Sequence, residues 1–290
     1  MASRAAATPG AHLKKRRRHA LAARATFPLG SLRRPALLLL LSDLHLGRGT
    51  REATRAAERD AVALLRAHQA EVLEGGTLVL LGDVFDQWIE YRHLVPRAAP
   101  RLTGLLAEWA DAGAEIVYTV GNRDPWHLDY FADDIGVTVV PGAWTPHREG
   151  LALYIAHGDG HAPSERLSTR FQPLLRARSM ARLYRMGLPG DAGYALARWV
   201  ARTFGTDGAP DPDVARDLAQ AAHQHLAHTD ADLVAFGHSH APALDVTPHG
   251  TYLNPGYWFG ARTFARIDAH GPALMRWSDG HARPLAASSL

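Results

Sequence analysis

Leu37-Leu38-Leu39-Leu40-Leu41-Ser42-Asp43-Leu44-His45 is the stretch on which the fold of this chain turns. Five leucines in a row are far fewer than the roughly 20 apolar residues that span a bilayer. They predict a β-strand covered on both faces, the kind found inside a parallel sheet. The strand runs directly into Asp-x-His, and alternate residues of an extended chain share a side, so two metal-capable groups leave the strand end together. The same arrangement recurs down the chain. The apolar run 78–81 leads into Gly82-Asp83, the run 116–120 into Gly121-Asn122, and the run 233–236 into Gly237-His238-Ser239-His240. A more mixed run, 151–156, leads into His157-Gly158-Asp159. Each block alone is ordinary: a lone Asp after a strand caps a helix, and a lone His sits on a surface. Five in this order gather carboxylates, imidazoles and an amide oxygen at one rim. Such an oxygen and nitrogen set suits Mn, Fe, Zn or Mg in a two-metal hydrolytic centre.

Between the blocks the pattern alternates strand and helix. A helix is predicted over 50–74, with Thr50 as N-cap, Gly75-Gly76 as its end and Ala57, Ala61, Leu64, Leu65 and Val72 on its apolar side. A second is predicted near 98–112. Strands at 36–42, 77–81 and 114–120 complete βαβ units around a buried sheet. Short strands follow over 137–156 and 232–278, and 163–227 reads as helical and strand-poor. The expected organisation is one α/β domain over 36–290 with a helical, lid-like insertion at about 163–205, preceded by a disordered extension over 1–35.

Composition narrows the classes. The chain has 290 residues, 47% hydrophobic and 21% charged, as ordinary globular proteins do. It has no cysteine, which excludes disulfides and thiolate metal sites. Nine of its 32 basic residues lie in the first 42 positions, which hold no acid, so the remainder carries 23 basic against 29 acidic residues. The basic run Lys14-Lys15-Arg16-Arg17-Arg18 suits anionic lipid or nucleic acid contact. A secretory signal fits poorly, and the expectation is a cytoplasmic protein, peripheral on the inner membrane face.

The order D-x-H, G-D, G-N-[HR]-[DE], H-G-D, G-H-x-H resembles the calcineurin-like metallophosphoesterase superfamily over residues 37–240. The resemblance implies a four-layer sandwich: two mixed β-sheets flanked by helices. It also implies one metal on Asp43, His45 and His240, a second on Asn122, His157 and His238, and Asp83 bridging the two. Two divalent ions, manganese foremost, are the implied cofactors. Asp124 and Asp159 are then candidate partners that fix the imidazole tautomers. Most members carry His after the Asn, whereas this chain has Arg123. An arginine is no general acid near neutral pH, but its planar fork suits a phosphate. The substitution fits a good leaving group.

Gly121-Asn122-Arg123-Asp124 further resembles the UDP-2,3-diacylglucosamine diphosphatases of lipid A synthesis, as do Gly82-Asp83-Val84-Phe85-Asp86-Gln87-Trp88 and His157-Gly158-Asp159-Gly160. That resemblance implies hydrolysis of a lipid-linked nucleotide to UMP and the acylated sugar 1-phosphate, under a helical lid. The insertion interleaves Phe171, Leu174, Leu175, Met180, Leu183, Tyr184, Met186 and Leu188 with Arg166, Arg170, Arg176, Arg178, Arg182 and Arg185. This composition suits acyl chains beside anionic headgroups. Asp83 and Arg123 are the candidate catalytic residues. Arg123, Trp88, Trp126, His127 and His161 are the candidate substrate contacts, with Trp88 and Trp126 open to a second reading in which they cover the core, while His68 and the other scattered histidines are expected on the surface. Rival readings are a phosphoesterase for another nucleotide, a cyclic nucleotide or nucleic acid, and a noncatalytic scaffold on this fold.

Overall fold

A computed structural model describes residues 36–148, 150–165, 176–204 and 208–285. The basic extension, and Arg166, Arg170, Phe171, Leu174 and Leu175 of the insertion, lie outside the described residues.

The leucine run forms β1 (Leu38–Leu41), and its two faces feed different cores. Leu39 and Leu41 pack toward helices α1 (Arg51–Ala67) and α3 (Pro100–Asp111), while Leu38 and Leu40 face a second sheet. Strand β1 pairs in parallel with β2 (Thr77–Leu80), which pairs in parallel with β3 (Glu115–Thr119), and β3 with β4 (Thr138–Val140). On its other side β1 meets the antiparallel strands β10 (Thr263–Asp268), β11 (Gly271–Ser278) and β12 (His281–Pro284), giving a seven-stranded sheet. The second sheet has five strands. Its parallel centre is β6 (Leu151–Ala156), β7 (Leu233–Phe236) and β9 (Gly250–Asn254), with β5 (His147–Arg148) and β8 (Ala243–Thr247) antiparallel at the edges.

The sheets pack face to face through Leu38, Leu40, Val79, Leu81, Ile155, Ala235 and Leu253. The outer face of the second sheet is covered by α6 (Pro212–His228), through Val214, Leu218, Ala222 and Leu226. The order helix, sheet, sheet, helix is the expected four-layer sandwich with two mixed sheets. Apolar runs buried on both faces are what drive it, since each strand's alternate side chains must find a separate covering layer.

The predicted helix over 50–74 is two helices, α1 and α2 (Gln69–Leu73), separated at His68. Its backbone leaves helical geometry there, and its ring Nδ1 turns back to the Leu64 carbonyl at 2.9 Å. His68 is therefore a buried residue, 6% exposed, contrary to the surface expectation. Thr50 caps α1 as expected, its side chain accepting from Ala53 N–H. The insertion region contains two helices, α4 (Arg178–Gly187) and α5 (Gly190–Phe204).

The segments after the Asp83 and Asn122 blocks are tied to each other. Trp88 N–H donates to Arg123 O (3.3 Å), and Glu90 N–H to Trp126 O (3.2 Å). The Glu90 carboxylate, 1% exposed, accepts from the N–H groups of Leu128, Asp129 and Tyr130 at 2.8–2.9 Å. Trp88 lies in this layer at 1% exposure, packed on Phe85, Phe131 and Tyr130. Of the two readings open to Trp88, substrate contact or core, this packing is that of a core residue. Glu90→Ala leaves three backbone donors without their shared acceptor. It is expected to lower unfolding stability by about 2–4 kcal/mol in urea titrations; a loss under about 0.5 kcal/mol would contradict this account.

Candidate metal centre

Parallel strands deliver their carboxyl ends to a common rim. Here β1, β2 and β3 of one sheet and β6 and β7 of the other each release a block there. The blocks interlock through backbone bonds: Asp43 N–H to Gly82 O (3.3 Å), His45 N–H to Asp83 O (2.9 Å), and Gly237 N–H to His157 O (2.9 Å). The rim is joined across the sandwich by one carboxylate, since His238 N–H donates to Asp43 Oδ2 at 3.0 Å.

All seven residues expected as ligands converge. Asp43, His45 and His240 form one group able to hold an ion, and Asp43, Asp83 and His157 form another, all buried. Asp43 Oδ1 lies 3.2 Å from His240 Nε2 and 3.5 Å from His45 Nε2. Asp83 faces both groups, with Oδ2 3.8 Å from His45 Nε2 and Oδ1 3.6 Å from His157 Nε2. Asn122 Oδ1 is 3.1 Å from His157 Nε2, and the His238 ring stands 5.1 Å from the His157 ring.

The donor chemistry fits a cation. His157 Nδ1 donates to Leu81 O (2.7 Å) and His240 Nδ1 to Gly208 O (2.8 Å). A carbonyl only accepts, so both Nδ1 atoms carry the proton and both Nε2 lone pairs point inward. With its Nδ1 protonated, His240 presents its Nε2 lone pair 3.2 Å from the buried Asp43 Oδ1, an oxygen with no hydrogen-bond partner. Converging lone pairs and an orphaned carboxylate oxygen are mutually repulsive until positive charge is set among them. Charge balance tells the same story. Burial pushes Asp43 and Asp83 up, yet the imidazoles (His240 and His45 at Asp43, His157 and His45 at Asp83) hold both carboxyls well below the usual range. Burial lowers His157, and the Asp83, Asp43 and Asp159 charges more than reverse it, leaving that ring well above an ordinary histidine. His45, with burial dominant, is lowered.

The backbone is strained where the expected ligands sit. Asp43, His45, Asp83, His238 and His240 all have φ between 41° and 66°, a region side-chain-bearing residues seldom occupy. Close approach is bought with glycine. A Cβ at Gly121 would sit 2.1 Å from Asp83 Oδ1, and one at Gly237 would sit 1.9 Å from Ser42 Oγ.

The expected tautomer partners act otherwise. The Asp124 carboxylate is occupied by other donors: its two oxygens accept from Gly121, Asp83, Val84 and Phe85 N–H groups and from Tyr118 O–H. Burial and the Asp83 charge push Asp124 up to about 6. Asp159 pairs with Arg176 (2.7 and 2.9 Å), whose NH2 group also donates to Val120 O. The tautomers are set by backbone carbonyls, which carry no residue signature.

Arg123 is half-buried, and its N–H donates to Asp83 Oδ1 at 2.8 Å. Trp126 is half-buried against Tyr184 of α4, 4.7 Å between rings. His127 is enclosed instead by Trp88, Tyr118 and Phe131, and burial pulls it down to about 3. Both its ring nitrogens are out of solvent without partners, which does not suit a substrate contact. His161 is exposed, 4.9 Å from the Phe236 ring.

Three supporting residues escape a reading by blocks. Tyr257 stacks on His240, 4.2 Å between rings and 9° from parallel. Ser42 Oγ lies 2.6 Å from Asp43 Oδ2. Asn254 Nδ2 donates to Gly237 O and Ser239 Oγ, holding the loop of His238 and His240. Asn254 ends β9, a sixth strand reaching this rim, and the turn signal Asn254-Pro255-Gly256 after an apolar strand marks it in sequence.

No family model matches the chain. It is similar to a UDP-2,3-diacylglucosamine hydrolase of Porphyromonas gingivalis, 37% identical over 120 residues, 41% of this chain and 44% of that protein, so this match spans less than half of that relative. A UDP-2,3-diacylglucosamine hydrolase of Ralstonia nicotianae is 30% identical over 229 residues, 73% of this chain and 80% of that protein. Among solved structures, the phosphoesterase Yfce from E. coli aligns over 87% of this chain and 100% of its own, at 15% identity and a TM-score of 0.44. With 30% identity across four fifths of the Ralstonia protein, the chain belongs to the UDP-2,3-diacylglucosamine hydrolase family.

Proposed function

We propose that this protein is a two-metal hydrolase that cleaves the pyrophosphate of UDP-2,3-diacylglucosamine, releasing UMP and 2,3-diacylglucosamine 1-phosphate. The observation that carries the reading is the Asp83 carboxylate, which turns one oxygen toward His45 and the other toward His157. Asp43, His45 and His240 would hold one ion, Asn122, His157 and His238 the other, with Asp83 shared. Two divalent cations, manganese first among them, supply Lewis acidity toward a water and toward the phosphoryl oxygens.

The chain's own groups do the rest. Asp83 and Asp43 bring negative charge that offsets the repulsion between two cations in a dry site. The carbonyls of Leu81 and Gly208 keep the Nε2 lone pairs directed inward. Arg123, fixed at its N–H by Asp83, brings a permanent cation to the rim, where a bidentate guanidinium would steady a phosphoryl group and leave protonation of the departing oxygen unassisted. UMP and a sugar phosphate, both phosphates, need little such help.

The insertion supports a substrate with acyl chains. On α4 and α5, Leu183, Met186 and Trp199 are 66%, 76% and 59% exposed, beside the exposed Arg182. Among the described residues no helix is long and apolar enough to cross a membrane. An exposed apolar face with arginines fits acyl chains at an anionic bilayer surface.

Purified protein with manganese is expected to release UMP from the lipid nucleotide. Inert lipid nucleotide beside brisk cleavage of nucleic acid or a simple diester would overturn the assignment. Asp83→Asn removes the shared charge and is expected to abolish turnover and weaken both ions in metal-binding titrations; near-native activity would refute it. Arg123→His is expected to cost about 10–100-fold more on the pyrophosphate than on an activated diester, the loss of a charge-assisted pair. Equal losses would remove the leaving-group argument. Leu183→Asp with Met186→Asp is expected to weaken flotation with phosphatidylglycerol vesicles by about tenfold or more, and unchanged flotation would exclude this face.

A further inference from the structure

Tyr118 and Asp124 stand outside the ligand set, and the reaction as described uses neither. Both are fully buried behind the rim, Tyr118 on β3 and Asp124 just after Asn122. The Asp124 carboxylate gathers five donors from two different blocks. Oδ1 accepts Gly121 N–H at 2.9 Å and Asp83 N–H at 3.2 Å, while Oδ2 accepts Val84 N–H at 2.7 Å, Phe85 N–H at 3.4 Å and the Tyr118 hydroxyl. Four of these are backbone groups of the turns that carry Asp83 and Asn122. One of those turns holds Asp83 at φ 50°, a conformation uncommon for any residue other than glycine. Something must hold it there, and the only side-chain acceptor given to the N–H groups of Asp83, Val84 and Phe85 among the described residues is Asp124.

We propose that Tyr118 and Asp124 form a positioning pair, in which the tyrosine hydroxyl fixes the Asp124 carboxylate so that it clamps the Asp83 and Asn122 turns at the spacing required to bind two divalent cations. The inference rests on the two-metal reading of the rim. The clamp touches neither substrate nor cation. It acts through the shared ligand: Asp124 fixes the N–H of Asp83, and the neighbouring turn returns Arg123 N–H to Asp83 Oδ1 at 2.8 Å. The shared carboxylate is thereby held at its backbone by Asp124 and at its side chain by Arg123 N–H, with its two oxygens facing opposite imidazoles. Tyr118 has a second tie to the same layer, meeting the His127 ring edge-on at 4.9 Å and Phe131 at 5.3 Å. Aromatic packing therefore keeps the ring in place when its hydroxyl is removed, and Tyr118→Phe tests the hydroxyl alone.

The test is calorimetric titration of metal-free protein with manganese chloride, together with thermal unfolding of the metal-free and manganese-loaded forms. Outer partners of metal ligands typically contribute 10–100-fold to affinity. Tyr118→Phe is expected to weaken manganese binding by about tenfold and to shrink the rise in Tm that manganese gives the native protein. A purely structural hydroxyl would lower both Tm values equally and leave the isotherm unmoved, and that result overturns the proposal. If Tyr118→Phe does not fold, Asp124→Asn decides by the same isotherm: weakened binding supports the clamp, native affinity overturns it. Native protein that binds no manganese would instead refute the two-metal reading itself.

Discussion

The sharing of Asp83 between two imidazole groups is the constraint around which this molecule is arranged. One carboxylate can face both His45 and His157 only if a turn of the first sheet sits against a turn of the second, to within a few ångströms. That requires the two sheets to be packed and in register, which Leu38, Leu40, Val79, Ile155 and Leu253 secure deep in the sandwich. The bond from His238 N–H to Asp43 Oδ2 joins the same two sheets at the surface of that core. The apolar interior and the polar rim are thus one structural requirement seen at two depths.

Stability is spent at that rim. Five ligand-bearing residues hold left-handed backbone, each at a cost of about 1–3 kcal/mol, and two carboxylates lie buried among imidazoles. Neither feature lowers the energy of the fold by itself. Both become intelligible if cations are part of the native state, since binding to the folded form alone returns free energy to it. The left-handed turns also have a geometric use. They swing a side chain back over the strand end from which it emerged, and that is how short blocks from five separate strands reach one small volume.

Much of this was legible in the sequence, for a definite reason. A strand buried on both faces has to be apolar throughout, so its end is abrupt, and a polar residue placed there is conspicuous. Asp43, Asp83, Asn122 and His238 each stand one small residue, Ser42 or a glycine, beyond such an end, and His157 directly follows the more mixed run 151–156. What supports them is legible only in three dimensions. The carbonyls of Leu81 and Gly208, which set two imidazole tautomers, belong to every residue type alike. Tyr257, stacked on His240, comes from a turn 17 positions further on with no spacing to link them. Trp88 is open to two readings in sequence, a stacking contact beside a ligand block or a core residue, and the segment after Asp83 folds inward and makes it core.

The insertion joins the body beside the rim. Arg185 donates to Glu90 O, Tyr91 O–H donates to Leu188 O, and Tyr184 meets Trp126. Glu90 and Tyr91 follow the Asp83 block, and Trp126 follows Asn122, while Arg176 bridges Asp159 and Val120 beside the His157 and Gly121 turns. Every one of these contacts lands within a few residues of a ligand block, yet none lands on a ligand. Helices α4 and α5 are therefore tied to the rim without taking part in the assembly of its carboxylates and imidazoles. The described helices of the insertion thus rest on the turns that follow three of the five strand ends, those of Asp83, Asn122 and His157.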